Sequence, residues 1–346
     1  MIKKQNRIYL LVLLLTILSL SGCSQKVKVS SLKPALVDNQ AIRKTAVLAF
    51  EHDEYGLREA VVSNMNKVEF SKKKYFSIVN RKDTQKILKE QKLQDSGLVN
   101  LNTFKQFGLS DVDSIITGNI LLKDSSTSYY QKERYNYKRC LRYADDGKTC
   151  LQYQTYRIQC KQTHYNLSAN ITITDIQNSD VIFTNRYDKE YMQEKCSNEF
   201  ARILSSHQVY SLLVKDVAKD FVNTIAPSRF SYDVEVIDDE DIDYDDIQEK
   251  YLENGLQLME LGDYKNANIV FSKLVHSTQY KSSVALYNLA LSYEVLGDLE
   301  RANTYYQKAK DITITQDMDK VIIKNAKRIE NKIQQNNKAL NQIKPN

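Results

Sequence analysis

The residues best able to do chemistry in this chain of 346 residues are its five cysteines. Cys140, Cys150 and Cys160 stand ten residues apart, Cys196 follows them, and Cys23 lies far upstream. Thiols in such a set either close disulfides or hold a metal. Structural zinc sites are built on tight cysteine pairs. The Cys-x9-Cys spacing lacks those pairs, even with His164 four residues after Cys160, so no metal site is expected. Four cysteines allow three pairings, and spacing does not choose among them. The preferred one joins Cys140–Cys150 across a hairpin turning at Asp145-Asp146-Gly147, with Cys160–Cys196 tying that segment to its domain. Other chemistry is thin. His52, His164, His207 and His276 are scattered. Glu51 and Asp53 flank His52 and hint at acid–base work, but the three read better as a solvated loop. There is no P-loop, no glycine-rich dinucleotide turn and no His-Glu-x-x-His. No catalytic set and no cofactor are expected, and the chain reads as a non-enzyme.

Cys23 has a different setting. Lys3, Lys4 and Arg7 precede an apolar run from Ile8 to Leu20, broken only by Thr16 and Ser19. A basic start before a short apolar stretch is a secretory signal. A membrane-spanning helix needs roughly 20 apolar residues. Leu20-Ser21-Gly22-Cys23 resembles the lipobox of bacterial lipoprotein precursors. The resemblance implies cleavage after residue 22 and a palmitate-type lipid on Cys23. One acyl chain holds a protein to a membrane only marginally, whereas two or more hold it stably. Ser24 in place of aspartate implies, by the same analogy, the outer membrane, facing the periplasm. Disulfides are the expected state of cysteines in such an oxidising compartment.

Residues 23–231 carry a net charge of +9 and residues 232–346 one of −6. The opposite signs point to two folding units. A basic domain invites a nucleic-acid reading, but export argues against it and no nucleic acid is expected.

Residues 23–41 read as a tether and 42–231 as an α/β (α+β) sandwich, helices on a mixed sheet. Thr45 to Phe50 reads as a buried strand, and 56–70 as an amphipathic helix through Leu57, Val61, Met65 and Val68. A strand over Tyr75 to Val79, a helix from Asp83 through Gln91, a short helix carrying Phe104 and Phe107, and a strand over Val112 to Leu121 follow. Leu167, Ala169, Ile171 and Ile173 alternate with Asn166, Ser168, Asn170 and Thr172, as on a strand with one buried face. Asn178-Ser179-Asp180 turns this strand back into Val181-Ile182-Phe183. Phe200, Ile203, Leu204, Leu213, Val217 and Phe221 mark a long helix ended before Pro227. Ile78-Val79-Asn80-Arg81, Ile87-Leu88-Lys89-Glu90-Gln91, Ser96-Gly97 and Ile115-Ile116-Thr117-Gly118 resemble the curli-secretion lipoprotein (CsgG/HfaB) family. The hairpin 165–187 is similar to that family's closing strands. The resemblance implies a CsgG-like periplasmic domain and a role in curli-type assembly or transport. Related modules activate a cell-wall synthase.

The chain departs from the channel members of that family. A barrel strand needs about 9–11 residues with an apolar lipid face. The insert 129–165 instead carries Lys138, Arg139, Arg142, Arg157 and Lys161, and charges on a lipid face cost about 2–4 kcal/mol each near the midplane. The stretch after Thr184 holds Lys189, Glu190, Glu194 and Lys195. Eight tyrosines between Tyr129 and Tyr165 interleave with these cations. They are either a binding surface, since Tyr and Arg are enriched at interface hot spots, or the pleat of a solvated hairpin.

An acidic run, Asp238 to Asp246, reads as a linker over 232–247, a self-repelling spacer able to contact the basic domain. Beyond it, Gly255, Leu258, Gly262, Ala267 and Phe271 recur 35 residues later as Ala290, Tyr293, Gly297, Ala302 and Tyr306. This resembles the tetratricopeptide (TPR) pattern. It implies two helix pairs over 248–315, with small residues for close approach and Phe271 and Tyr306 filling the groove between repeats. Residues 316–346 would supply a cap and tail. Such helical arrays bind partner segments. The whole reads as an anchored assembly or scaffold lipoprotein that binds envelope proteins through the TPR region and forms homo-oligomers; an export-channel subunit or a synthase activator is the alternative.

Overall fold

A computed structural model of the chain describes residues 25–78, 112–200, 202–313 and 316–344. The expected leader, Cys23, the helix from Asp83, the helix with Phe104 and Phe107, and most of the CsgG-like run lie outside these residues. In chain order the strands are β1 (Lys26–Lys33), β2 (Lys44–Val47), β3 (Glu69–Phe70), β4 (Lys73–Lys74), β5 (Ser77–Ile78), β6 (Ser114–Tyr143), β7 (Cys150–Asp175), β8 (Val181–Cys196) and β9 (Ser228–Glu235). The helices are α1 (Leu57–Lys67), α2 (Ser206–Ile225), α3 (Asp246–Glu260), α4 (Tyr264–Ser277), α5 (Ser283–Val295), α6 (Leu299–Ile312) and α7 (Gln316–Ile343). They make a mixed α/β protein in two compact units: Ala35–Ala226, and the chain from Pro227 onward with the described residues up to Pro34.

The α/β unit is built on a five-stranded sheet in the order β5-β2-β6-β7-β8. β2 runs parallel to β5 and β6, while β6, β7 and β8 are antiparallel. Period-two alternation puts Leu167, Ala169, Ile171 and Ile173 on one face, where α1 and α2 bury them. Each large side chain buried there contributes roughly 1.5–3 kcal/mol. Helix α1 delivers Leu57, Val61 and Met65, and α2 delivers Val209, Leu213, Val217 and Phe221. Two caps set where the helices begin. Asp53 accepts from the Leu57 and Arg58 backbone N–H groups at 2.7 and 2.8 Å. Ser205 and Gln208 form a capping box at the start of α2. That box overrides the apolar spacing upstream. Phe200, Ile203 and Leu204 were expected on the helix, but they precede it, and Phe200 is fully exposed. Gly118 is required in β6: a Cβ there would meet the Phe50 ring at 2.5 Å.

The strand expected over Val112 to Leu121 does not stop. β6 continues through the insert to Tyr143, with a register shift between Ile120 and Leu122 and three more toward the tip, between Asn136 and Tyr143. Of the described residues in the strand expected over Tyr75 to Val79, Ser77 and Ile78 pair, while Tyr75 and Phe76 are buried in the core.

The second unit holds two helix pairs, α3 with α4 and α5 with α6, and then α7. Gly262 (φ +76°) and Gly297 (φ +85°) take left-handed backbone just beyond α3 and α5. Asp263 and Asp298 then cap the next helices by accepting from Asn266 and Arg301 backbone N–H. The segment read as a tether is partly strand. β1 pairs antiparallel with β9 in the register Val27↔Val234 and Val29↔Tyr232, and this two-stranded sheet packs on α5 and α7. The acidic stretch is likewise held in place. The Asn288 side chain donates to the Ile237 carbonyl at 2.7 Å and accepts from its N–H at 3.3 Å. Asp241 accepts from Ser282 Oγ at 2.6 Å and Ser283 Oγ at 2.7 Å. Among the described residues no helix is long and apolar enough to cross a membrane.

Candidate functional site

β6 and β7 pair from Ser114↔Asp175 out to Tyr143↔Cys150, while β8 accompanies β7 only as far as Cys160↔Cys196. Beyond that point the hairpin is a two-stranded ribbon. Thirteen residues of β6, from Gln131 to Tyr143, extend it about 40 Å at the usual strand rise. An isolated two-stranded hairpin is marginal in water, and this one is fastened at both ends. Cys140 and Cys150 form a disulfide near the tip, and Cys160 and Cys196, directly opposed, form a second at the base. This is the pairing preferred in sequence. It leaves none of these four cysteines as a thiolate, so the grouping of Cys160 and Cys196 with Glu194 is not a cation site.

The base is clasped further. Tyr130 hydroxyl donates to Glu194, Lys132 pairs with the same carboxylate at 2.9 Å, and Arg134 pairs with Glu199. The Tyr130 hydroxyl and Lys132 hold the Glu194 carboxyl below its usual range. Ile158, Cys160 and Cys196 form a small buried cluster beneath Tyr130.

Toward the tip both faces are solvated. Tyr135, Tyr137, Leu141, Tyr143 and Leu151 are all exposed, Tyr137 at 73%. So are Lys138, Arg139, Arg142, Lys148, Arg157 and Lys161. Rings of Tyr137 and Tyr153 meet edge-on at 5.1 Å, so part of the tyrosine set packs on its own pleat. Residues 129–161 carry eight cations and three acids. No face of the ribbon is apolar from end to end. The arrangement can bind an anionic, partly aromatic surface. In the loop Glu51-His52-Asp53, Asp53 is occupied as a helix cap.

The repeat residues in the second unit come together. Ala267, Phe271, Ala290, Ala302 and Tyr306 are fully buried, and Leu258 and Tyr293 pack on the same core. Phe271 fills the space left by the missing Gly255 side chain, where a Cβ would sit 2.5 Å from the ring. It therefore packs within its helix pair. Tyr306 does likewise against Tyr287, with ring centroids 5.3 Å apart.

The sequence reading missed a polar knot beneath the β1–β9 sheet. Glu294 is wholly buried and accepts from Tyr232 hydroxyl at 2.6 Å, Tyr306 hydroxyl at 2.8 Å and both terminal nitrogens of Arg328. Arg328 lies over the Tyr232 ring at 4.9 Å, and its Nε donates to Asn325. Tyr287 hydroxyl donates to the Glu235 carbonyl at 2.7 Å. Lys332 sits 4.2 Å from the centroid of Phe230. Side chains of α5 and α7 thus grip β9 as a groove grips an extended peptide. The signal was a lone glutamate at the end of an apolar helical run, with its arginine 34 residues away.

Residues 253–340 match a family described as a domain of unknown function, DUF6340. No curated protein matches the chain. Similar solved structures include the PelC dodecamer from Paraburkholderia phytofirmans, 11% identical, covering 56% of this chain and 96% of that one at a TM-score of 0.20. Another is lipoprotein GNA1162 from Neisseria meningitidis, 12% identical, covering 52% and 97% at a TM-score of 0.24. Likenesses of this size say nothing about what the chain does.

Proposed function

We propose that this chain is a non-enzymatic envelope lipoprotein, acylated at Cys23 and held at the outer membrane facing the periplasm, where it scaffolds an assembly. Its α/β unit is read as CsgG-like and its helical unit as TPR-like, and the partners are envelope proteins and further copies of the chain. The observation that carries the reading is the hairpin: a doubly stapled ribbon of exposed tyrosine and cations. Two disulfides support an oxidising compartment. The helical unit contributes differently from an open adaptor. The face where α5 and α7 would receive a partner peptide holds the chain's own β9, so binding falls to the hairpin and the outer helical surfaces.

Cross-linking mass spectrometry on intact cells, with peptide mapping of the N-terminus, tests this. The expected result is an acylated Cys23 in the membrane fraction and links from residues 129–161 to envelope proteins or to other copies. An unmodified Cys23 in the soluble fraction, with no links from the hairpin, would sink the reading.

A further inference from the structure

The hairpin's cations have a complementary surface in the same molecule. Asp238, Asp239, Glu240, Asp243, Asp245 and Asp246 are all exposed. The segment bearing them is not a loose spacer. It is pinned at Ile237 by Asn288, at Asp241 by Ser282 and Ser283, and at Tyr244, whose hydroxyl meets Ser282 Oγ at 2.5 Å. Asp245 is further fixed as the cap of α3, accepting from Ile247 and Gln248 N–H at 2.9 Å. Docking on such a strap costs little ordering entropy.

The ribbon is ordered in the same way, by its disulfides and its clasp. Among the described residues, Lys138, Arg139, Arg142 and Arg157 have no acidic partner of their own, while Lys132 and Arg134 are consumed at the base. Tyr135, Tyr137 and Tyr143 stand beside these cations, and Tyr with Arg is the pairing that dominates interface energetics.

We propose that the hairpin of one copy docks on the acidic strap of a second copy, a head-to-tail contact. Such a contact joins unlike surfaces, so it propagates from copy to copy and closes only if the rotation between copies permits. This deepens the scaffold reading by naming the hairpin's partner, and it is independent of where the chain is anchored. Electrostatics sets the encounter and its salt dependence, and the tyrosines supply the contact that persists.

The test is sedimentation velocity of the full chain over a concentration series, at low salt and at about 1 M salt, where the screening length falls to about 3 Å. Two triple variants are compared: Lys138→Glu with Arg139→Glu and Arg142→Glu, and Asp238→Lys with Asp239→Lys and Glu240→Lys. All six positions are exposed, and circular dichroism checks that the fold is kept. Wild type is expected to self-associate at low salt and to weaken at least tenfold at high salt. Each variant alone is expected to be monomeric, and an equimolar mixture to associate again, because each then meets an opposite charge. Wild type that stays monomeric, association untouched by either reversal, or a mixture that is not rescued overturns the proposal. So does a salt effect independent of concentration, which would place the contact within one chain. Hairpin cross-links to another envelope protein, with no self-association, would remove this contact and leave the scaffold reading standing.

Discussion

At the scale of single residues, the most consequential is Glu294. A buried carboxylate is tolerable only when paired and fully hydrogen-bonded, and Arg328 with two tyrosine hydroxyls meets that condition. Arg328→Ala is expected to lower stability by about 3–5 kcal/mol, because it strands the charge. Glu294→Leu with Arg328→Met should recover most of that loss. Urea unfolding of the single and double variants measures the difference, and additive losses would show that the pair does not act as a unit. The same knot gives a pH dependence. Burial pushes the phenols of Tyr232, Tyr287 and Tyr306 well above their ordinary range, and burial raises Tyr75 to about 12. In the unfolded chain a phenol ionises near pH 10. These groups favour the fold in their neutral form. Their contribution is complete below about pH 10 and is lost as pH rises toward the folded values. The urea midpoint should therefore fall between about pH 9 and about pH 11.5 more steeply in wild type than in Tyr232→Phe/Tyr287→Phe, and equal slopes would place these phenols outside the effect.

Among elements, the hairpin separates local from global order. Loop-closure estimates give about 3 kcal/mol for a ten-residue span and about 4 kcal/mol for one of 36. The two bonds act on different parts, however. Cys140–Cys150 lies where the ribbon has no third strand, so Cys140→Ala/Cys150→Ala should speed amide exchange over residues 137–155 and leave the melting temperature nearly unchanged. Cys160–Cys196 joins β7 to β8 on the sheet that α2 covers, so its removal should lower the melting temperature by several degrees. Exchange mass spectrometry with calorimetry reads both, and a reversed order of effects would mean the tip is part of the cooperative core. The elements also show what a sequence can carry. Period-two alternation at Leu167 to Ile173, glycine stops at Gly262 and Gly297, and the 35-residue repeat are local signals, and each appears where it was read. The length of β6 was not readable, because Lys123 to Tyr143 has no buried face to impose a pattern on it. The start of α2 was misread because a capping box outweighed three apolar residues in helical spacing.

For the whole molecule the decisive feature is that one folding unit is discontinuous in sequence. β1 pairs with β9 across some 200 residues of chain, in the register Lys26↔Glu235 through Lys33↔Ser228. Lys26-Val27-Lys28-Val29 does alternate as a half-buried strand would, but four residues are a short signal and nothing local names the distant partner that makes Val27 and Val29 core residues. The charge split placed a boundary near residue 231, inside β9, because composition follows the surface and the β1–β9 pair is mostly interior on one face. A fragment of residues 227–346 therefore lacks part of its own core. It exposes the β9 edge and the surface that Val27 and Val29 cover, an unpaired strand of the kind that aggregates. A fragment of residues 35–226 has its sheet and both covering helices intact. The second fragment should melt cooperatively alone, whereas 227–346 should melt low and broadly and be rescued by a synthetic peptide of residues 25–34. The rescue should saturate with peptide concentration, as binding to the folded state requires, and a Val27→Asp/Val29→Asp peptide should not give it. A fragment 227–346 that melts sharply and ignores the peptide would mean that β1 only decorates the helical unit. Rescue would mean that the strand beginning three residues after Cys23 is part of that unit, so that an acyl group on Cys23 would fasten the helices, not a free tether, to the bilayer.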